Sequence, residues 1–134
     1  MKNKMKKIVT LLLVTLCALF AFACDQPSNP PADIKFTVEI DNVQSGATVL
    51  DYMNYLQSEG EFTFTISGGM VTSFNGVSGA SNQYWMLYTD DTNNSNADWG
   101  TITVGGKTYN SASLGAETLI AVDGCTYVWR LVTF

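Results

Sequence analysis

The sequence predicts an α+β fold in which a single helix packs on antiparallel or mixed β-sheet. One segment of the chain has apolar residues at helical spacing, whereas roughly seven short segments alternate apolar and polar residues. Glycine-rich turns separate several of the alternating segments, and the length of 134 residues suits one domain. One helix among many short strands indicates a helix packed on a sheet.

The first two predicted elements are a strand over 34–41 and the helix over 47–60. In the strand, every second residue is apolar, which is typical of a strand with one buried face. In the helix, Thr48 and Asp51 resemble a capping box with Asp in the position of Glu, and Gly60 is a stop signal. We expect this to be the only helix of the domain.

The rest of the chain is predicted to form strands and turns. Gly68–Gly69, Gly105–Gly106 and Asp123–Gly124 are the predicted turn positions, and a loop rich in Gly, Ser and Ala precedes residue 82. The predicted strands lie in 61–67, 70–76, 82–91, 98–104, 107–112, 117–122 and 125–134.

Residues 1–23 are predicted to be a secretory signal peptide. A lysine-rich start, "MKNKMKK", precedes an apolar run over 8–23 that ends in small residues. A transmembrane anchor is the alternative, but the run is shorter than the ~20 residues that span a bilayer.

Cys24 follows the apolar run directly. "AFAC" resembles the lipobox of bacterial lipoproteins, whose cysteine is diacylated and becomes the mature N-terminus; Ala23 fits that pattern, although Ala21 stands where leucine is usual. Residues 24–33 contain all three prolines and predict an extended tether before a domain over 34–134. We therefore expect an extracytoplasmic protein, lipid-anchored to a membrane at the bacterial cell surface or in the periplasm. A secreted protein with an incidental cysteine is the alternative.

The charge of the chain without 1–23 limits the partners it can have. Lys35, Lys107 and Arg130 remain as basic residues against twelve acidic ones, a net charge of −9. Such an acidic body is a poor partner for nucleic acid or for anionic lipid head groups. The lipid on Cys24, and not a basic patch, is therefore expected to hold the protein at the membrane.

The residue types argue against an enzyme. The chain has no histidine, which removes the usual general base and the commonest metal ligand. Cys125 is the only cysteine in the folded part, and a lone thiol in a strand is usually a small core residue. The acidic segment 90–98 has oxygen ligands at a spacing that suits calcium, but it lacks the glycine and the final glutamate of an EF-hand loop. A solvated loop is the preferred interpretation, and we expect no metal site and no intrinsic cofactor.

An ordered set of motifs carries a resemblance to a known family. "TVLDYMNYL", "SGGMVTSFNG", "YWMLY" and the C-terminal "DGCTYVWRLVTF" follow one another in the chain. Together they resemble the C-terminal β-domain of the transcobalamin and intrinsic factor family, a domain that also recurs in bacterial surface lipoproteins. The resemblance covers about residues 36–134. It implies a β-grasp-like fold without catalytic activity.

The resemblance also implies a ligand and a site. In the cobalamin carriers this domain covers one face of the corrin, while a helical domain that this chain lacks holds the other face. The contacts carried over to this sequence are those of Ser67, Gly68, Gly69, Trp85 and Leu87. The segment 98–110 looks longer than its counterpart, so no contacts are transferred there.

The stretch 82–91 decides between a binding site and a core. Trp85 and Leu87 share one face of the predicted strand, and Tyr84, Met86 and Tyr88 share the other. Trp85 and Leu87 either pack in the core or line an open apolar surface beside the glycine hairpin, where a flat ligand approaches the backbone. Trp99 and Tyr109 are expected to extend such a surface.

A one-sided grip on a ligand is expected to be weak. Removing about 200 Å² of apolar surface contributes about 5 kcal/mol, whereas association costs about 4–15 kcal/mol. A second domain or a transporter protein is therefore the expected partner, with a corrinoid-like small molecule as the ligand. The alternative function is a non-enzymatic interaction or adhesion module whose aromatic face binds a protein.

Overall fold

A computed structural model describes residues 30–134, and Pro31–Phe134 form one compact unit. The predicted signal peptide, the lipidation site Cys24 and most of the predicted tether lie outside the described residues. Within the described part, no helix is long and apolar enough to cross a membrane. The fold of this part is α+β, with one α-helix and two antiparallel sheets.

The larger sheet has five strands, which are β1 (Ile34–Thr37), β5 (Gln83–Thr89), β6 (Ser95–Val104), β7 (Lys107–Ala112) and β8 (Thr126–Thr133). Their spatial order is β1-β8-β5-β7-β6, and every neighbouring pair is antiparallel. Strand β5 lies at the centre and pairs with β8 along its whole length, from Gln83 opposite Thr133 to Thr89 opposite Tyr127.

The smaller sheet has three strands in chain order. It consists of β2 (Phe64–Ser67), β3 (Met70–Phe74) and β4 (Val77–Ser78). Gly68 and Gly69, with φ of 58° and 79°, form the turn between β2 and β3, a conformation that glycine adopts without steric cost.

The helix α1 (Val49–Ser58) begins and ends as the sequence predicts. The Thr48 hydroxyl accepts a hydrogen bond from the Asp51 amide at 3.2 Å, and the Asp51 carboxylate accepts one from the Thr48 amide at 2.8 Å. This reciprocal pair is a capping box. Gly60, with φ of 83°, follows the end of the helix.

The main core lies between α1, one face of the large sheet and the small sheet. Val49, Tyr52 and Met53 of α1 are buried there. The aromatic residues of this core touch in series, since Phe74 of β3 lies 5.0 Å from Trp85 and 5.6 Å from Trp129, ring centre to ring centre. Such aromatic pairs contribute about 0.5–1.5 kcal/mol each beyond their buried area.

A second, smaller core covers the opposite face of the large sheet. It consists of the buried residues Tyr88, Ile102, Tyr109 and Val128. The ammonium groups of Lys35 and Lys107 lie 5.7 Å and 5.5 Å from the centre of the Tyr109 ring, in cation–π geometry. The two faces of β5 are therefore both packed, which explains the unbroken apolar run at its centre.

The segment 117–122 is not a strand, contrary to the sequence prediction. It forms turns and a single bridge between Thr48 and Ile120. The carbonyls of Leu119 and Ala116 accept hydrogen bonds from the amides of Val49 and Leu50, at 2.8 and 2.9 Å. These amides belong to the first turn of α1 and have no partner within the helix. The segment therefore provides hydrogen-bond acceptors for the first turn of α1.

Other element boundaries also differ from the prediction, and the largest differences concern β1, β4 and β6. Strand β1 ends at Thr37, because a 3₁₀ helix over Ile40–Asn42 follows, although Val38 still bonds to Cys125 and Gly124. The predicted loop before residue 82 contains the short strand β4. Strand β6 begins at Ser95, inside the predicted acidic loop, and its pairing with β7 shifts between Asn96 and Thr101.

Candidate functional site

A groove of about 880 Å³ lies between the small sheet and one edge of β5. This volume is within the range of small-molecule sites in proteins, about 300–1,000 Å³. Its walls come from both sheets and from the segment that follows β7. The lining residues are 69–72, 78–81, 83–87, 111–116, 129 and 134.

The groove follows the edge of β5 rather than one of its faces. All five residues from Gln83 to Leu87 line it, although successive side chains of a strand point to opposite faces. Only the edge of a strand brings both sets to one space. The edge is free there because β7 pairs with β5 only at Tyr88 and Thr89.

Trp85 and Leu87 lie in the core and also line the groove. Each is 6% exposed, and both belong to the main buried cluster. The indole N–H of Trp85 donates a hydrogen bond to the Val77 carbonyl at 3.0 Å. Of the two alternatives for Trp85, packing in the core is confirmed and an open aromatic surface is wrong, because the small sheet packs on the ring. Whether either residue contacts a ligand stays a prediction.

The glycine hairpin contributes only its second glycine to the groove. Gly69 lines it, whereas Ser67 and Gly68 are not among the lining residues. A side chain at Gly69 would place its Cβ 3.1 Å from a carboxylate oxygen of Glu117, in addition to the strain of φ 79°. The structure thus brings three of the five predicted residues, Gly69, Trp85 and Leu87, to one space.

Exposed apolar residues at the mouth of the groove were not identified from the sequence. Met70, at 62% exposed, and Leu114, at 48%, both line the groove, and the rings of Tyr84 and Phe134 lie 5.9 Å apart near the start of β5. The sequence signal for Met70 was its position directly after the glycine turn. Leu114 carried no signal, since it lies in irregular backbone.

The two aromatic residues expected to extend the surface do not line the groove. Tyr109 is 2% exposed and lies in the second core, on the opposite face of the sheet. Trp99 is 64% exposed but is not among the lining residues. The expectation for both is wrong, because only the last two residues of β7, Ser111 and Ala112, line the groove, while Tyr109 packs in the second core and Trp99 lies outside the groove.

The groove is electrically neutral, while the opposite end of β5 is polar. No acidic or basic side chain is among its lining residues. At the other end, the Asp90 carboxylate accepts a hydrogen bond from the Thr126 amide at 2.7 Å and pairs with Lys107. Burial alone would raise the pKa of Asp90, but these two bonds outweigh burial, so its pKa lies below the ordinary value.

The predicted solvated loop at 90–98 is wrong for Asp91. Asp91 is buried, and its carboxylate accepts hydrogen bonds from the Asn93 amide at 3.0 Å and from the Asn94 side chain at 2.8 Å. Both carboxylate oxygens thus have partners within the turn. Among residues 30–134, no group of three or more His, Cys, Asp or Glu side chains is placed to hold a metal ion.

Cys125 is half-buried at the start of β8. Burial raises the pKa of its thiol, and the nearby charges of Asp90 and Asp91 raise it further. A thiol with a raised pKa is a poor nucleophile at neutral pH.

Comparison with models of protein families, with curated proteins and with solved structures finds no match for this chain.

Proposed function

We propose that this protein is an extracytoplasmic, lipid-anchored ligand-binding protein of the transcobalamin-like type, and that it has no enzymatic activity. The observation that carries the proposal is the neutral groove at the open edge of β5, with Gly69 and the exposed Met70 at its mouth. A concave, mainly apolar space with few polar groups is the usual form of a small-molecule site.

The proposed ligand is cobalamin or a similarly flat cofactor. Support comes from the order of the motifs in the chain and from the meeting of Gly69, Trp85 and Leu87 at one groove. A single helix packed against one sheet face agrees with the β-grasp-like arrangement that the resemblance implies. We propose that the ligand edge enters beside Gly69 and Met70, at the margin of which the Glu117 carboxylate lies next to Gly69.

Such a ligand needs a second binding partner. The groove reaches a flat molecule from one side, and the free energy from one face is comparable to the cost of association. The partner is proposed to be a second domain on another chain or a transporter protein. With no histidine in the sequence, any imidazole ligand to cobalt would come from that partner.

The binding proposal is tested by titrating residues 25–134 with cobalamin, using calorimetry and the visible absorbance of the corrin. The expected dissociation constant is micromolar or weaker. Met70→Ser removes an exposed apolar contact at the mouth and is expected to weaken binding severalfold; Trp99→Ser, equally exposed but outside the groove, should not. Absence of heat and of any spectral change at millimolar cobalamin contradicts the corrinoid proposal.

The second candidate function is an interaction or adhesion module. The exposed apolar residues Met70, Leu114, Tyr84 and Phe134 around one groove favour it, because such patches often bind proteins. Affinity capture from native membranes with wild type and with Met70→Ser distinguishes the two candidates. Loss of a co-purifying protein indicates the module, whereas loss of a co-purifying small molecule indicates the ligand binder.

The lipid anchor is tested separately through Cys24. We expect the wild-type protein in the membrane fraction and the Cys24→Ala variant in the soluble fraction, because two acyl chains give stable anchoring. Incorporation of labelled palmitate into wild type and not into the variant would identify the modification. A membrane-bound Cys24→Ala protein would contradict the anchor.

A further inference from the structure

Strand β5 carries backbone N–H and C=O groups on two edges. Its register with β8 determines which residues point these groups toward β8 and which point them toward the other edge. The pairing with β8 is constant, with Tyr84 opposite Val132 and Tyr88 opposite Val128. At its two ends, the Phe134 amide donates to the Asn82 carbonyl and the Asp90 amide to the Thr126 carbonyl. Hydrogen-bonded pairs recur at every second residue of an antiparallel ladder, so the even-numbered residues of β5 bond to β8. The odd-numbered residues point their N–H and C=O groups to the other edge.

That other edge is covered only at its ends. Strand β7 pairs with Tyr88 and Thr89, and the ladder stops there. The Gln83 amide is bonded to the Ala80 carbonyl at 3.0 Å. Between these two points, no strand of the described residues pairs with Trp85 on this edge, and no turn or loop among them bonds to its N–H or C=O. Continued pairing with β7 would place Leu114 opposite Trp85, but β7 ends at Ala112 and the chain leaves the sheet.

Unpaired groups at this position are unusual, because Trp85 is almost completely buried. More than nine in ten buried backbone N–H and C=O groups in proteins have a partner. Trp129 also lines the groove, and its buried indole N–H has no partner among residues 30–134. The backbone of Trp85 and the indole of Trp129 are thus two places beside the groove where polar groups lack partners in the described part of the chain.

We propose that an extended segment of a partner protein binds in the groove and adds a short strand to the open edge of β5 at Trp85. Strand addition is a common mode of peptide recognition, in which main-chain hydrogen bonds give affinity and side-chain pockets give specificity. The edge between Gln83, whose amide is bonded to Ala80, and Tyr88, which pairs with β7, has room for about three or four residues at about 3.4 Å per residue.

The groove also defines the chemistry of that segment. Its central residues are uncharged, because no charged side chain lines the groove to compensate a buried charge. Its flanks are basic, because residues 30–134 carry eleven acidic and three basic residues, a net charge of −8. The exposed Met70 and Leu114 both line the groove, so apolar residues of the segment fit there. This inference goes beyond cobalamin binding, and the two occupants would compete for one groove.

Amide exchange and chemical shifts in ¹⁵N-labelled residues 25–134 test the proposal, because all elements and both cores lie within that range. In the free protein, we expect the Trp85 amide to exchange at least tenfold faster than the Met86 amide, which is bonded to β8. Titration with the peptide acetyl-KTVTVTK-amide should shift the Trp85 amide and the Trp129 indole together. At saturation, the Trp85 exchange should slow at least tenfold, with Met86 unchanged.

Two N-methylated forms of the peptide are the matched controls. N-methylation of the amides on one edge of its strand should weaken binding at least tenfold, whereas N-methylation on the other edge should leave binding within about twofold. Slow exchange of the Trp85 amide in the free protein overturns the proposal, as do equal affinities of the two forms. An unshifted spectrum at 5 mM peptide overturns it too.

A third possibility is that a second copy of this chain occupies the groove. Concentration-dependent dimerisation that itself protects the Trp85 amide would overturn the partner-segment proposal. Cobalamin titration of the same sample reports on the proposed function separately, so either proposal can fail while the other stands.

Discussion

The two halves of β5 differ in how many of their backbone N–H and C=O groups have hydrogen-bond partners. At Tyr88 and Thr89, the strand pairs with both β7 and β8. Side-chain hydrogen bonds continue just beyond its end, where the Thr89 hydroxyl donates to the Thr126 carbonyl at 2.9 Å and accepts from the Asp91 amide at 3.0 Å. From Gln83 to Leu87, only the β8 side is paired, and the other edge lines the groove.

The difference shows that the hydrogen bonding of one strand can be complete at one end and incomplete at the other, and we propose that the incomplete end serves recognition. The closed half is fixed by neighbours on both sides, so its loss should disturb the whole sheet. The open half keeps Trp85 and Leu87 in the core, while its edge lines the groove. Variants that separate these two properties test the comparison.

The largest expected effect is on stability at the open half. Trp85→Ala should lower the free energy of unfolding by about 3–5 kcal/mol, because it removes a buried ring packed edge-on against Phe74. Trp85→Phe keeps most of the packing and should cost about 1–2 kcal/mol, through the lost bond to Val77. Urea denaturation measures both. A Trp85→Ala cost below about 1 kcal/mol would show that the ring is not packed as described. Trp85→Ala is therefore unsuitable as a binding variant.

The next effect concerns the closed half. Asp90→Ala should lower the free energy of unfolding by about 1–3 kcal/mol, since it leaves the partly buried Thr126 amide without an acceptor. Asp98→Ala is the matched control, because the exposed Asp98 carboxylate has no hydrogen bond or salt bridge within the described residues. Its expected change is within about 0.5 kcal/mol. Equal losses for both variants would show that the Asp90 bonds contribute nothing.

Acid sensitivity is a smaller effect and also arises at the closed half. The folded-state pKa of Asp90 is lowered, so its contribution to stability is present above the unfolded pKa, about 3.9, and is lost as pH falls through the folded pKa. Asp90→Asn should therefore lose less stability than wild type between about pH 4 and the folded pKa. Chemical denaturation at several pH values below 5 measures the two slopes. Parallel slopes would contradict this role for Asp90.

The smallest expected effect on stability belongs to the mouth of the groove. Leu114→Ser changes an exposed side chain and should alter the free energy of unfolding by less than about 0.5 kcal/mol. The same variant should weaken any occupant that contacts the wall. Stability loss above about 1 kcal/mol would instead make Leu114 a structural residue, and binding data from it would need a different variant.

Much of the secondary structure could be predicted, because local signals determine it. The capping box at Thr48 and Asp51 and the double-glycine turns fixed the ends of α1 and of the hairpins. The alternation in β5 correctly separated the Trp85 face from the Tyr88 face. The prediction of a strand over 117–122 was wrong, because this segment makes contacts with α1, and α1 is distant from it in the sequence.

The site was less predictable, because it depends on where strands stop pairing. No local sequence signal indicates that β7 ends at Ala112, before it reaches the part of β5 near Gln83. This difference in strand length leaves one edge of β5 unpaired and opens the groove. The burial of Trp85 depends on β4, a two-residue strand in a stretch rich in Gly, Ser and Ala. The opening of the groove and the burial of Trp85 were thus decided by where strands end and which strands pair, rather than by residue type.

The attachment of the groove wall to α1 sets how far that wall can move. The wall segment 111–116 ends at Ala116, whose carbonyl accepts a hydrogen bond from the Leu50 amide, and three residues further on the Leu119 carbonyl accepts one from the Val49 amide. Moving this end of the wall would break both bonds and leave the first turn of the helix without acceptors. A molecule that enters the groove is therefore expected to fit the width it finds on this side, because moving the wall would destabilise the helix.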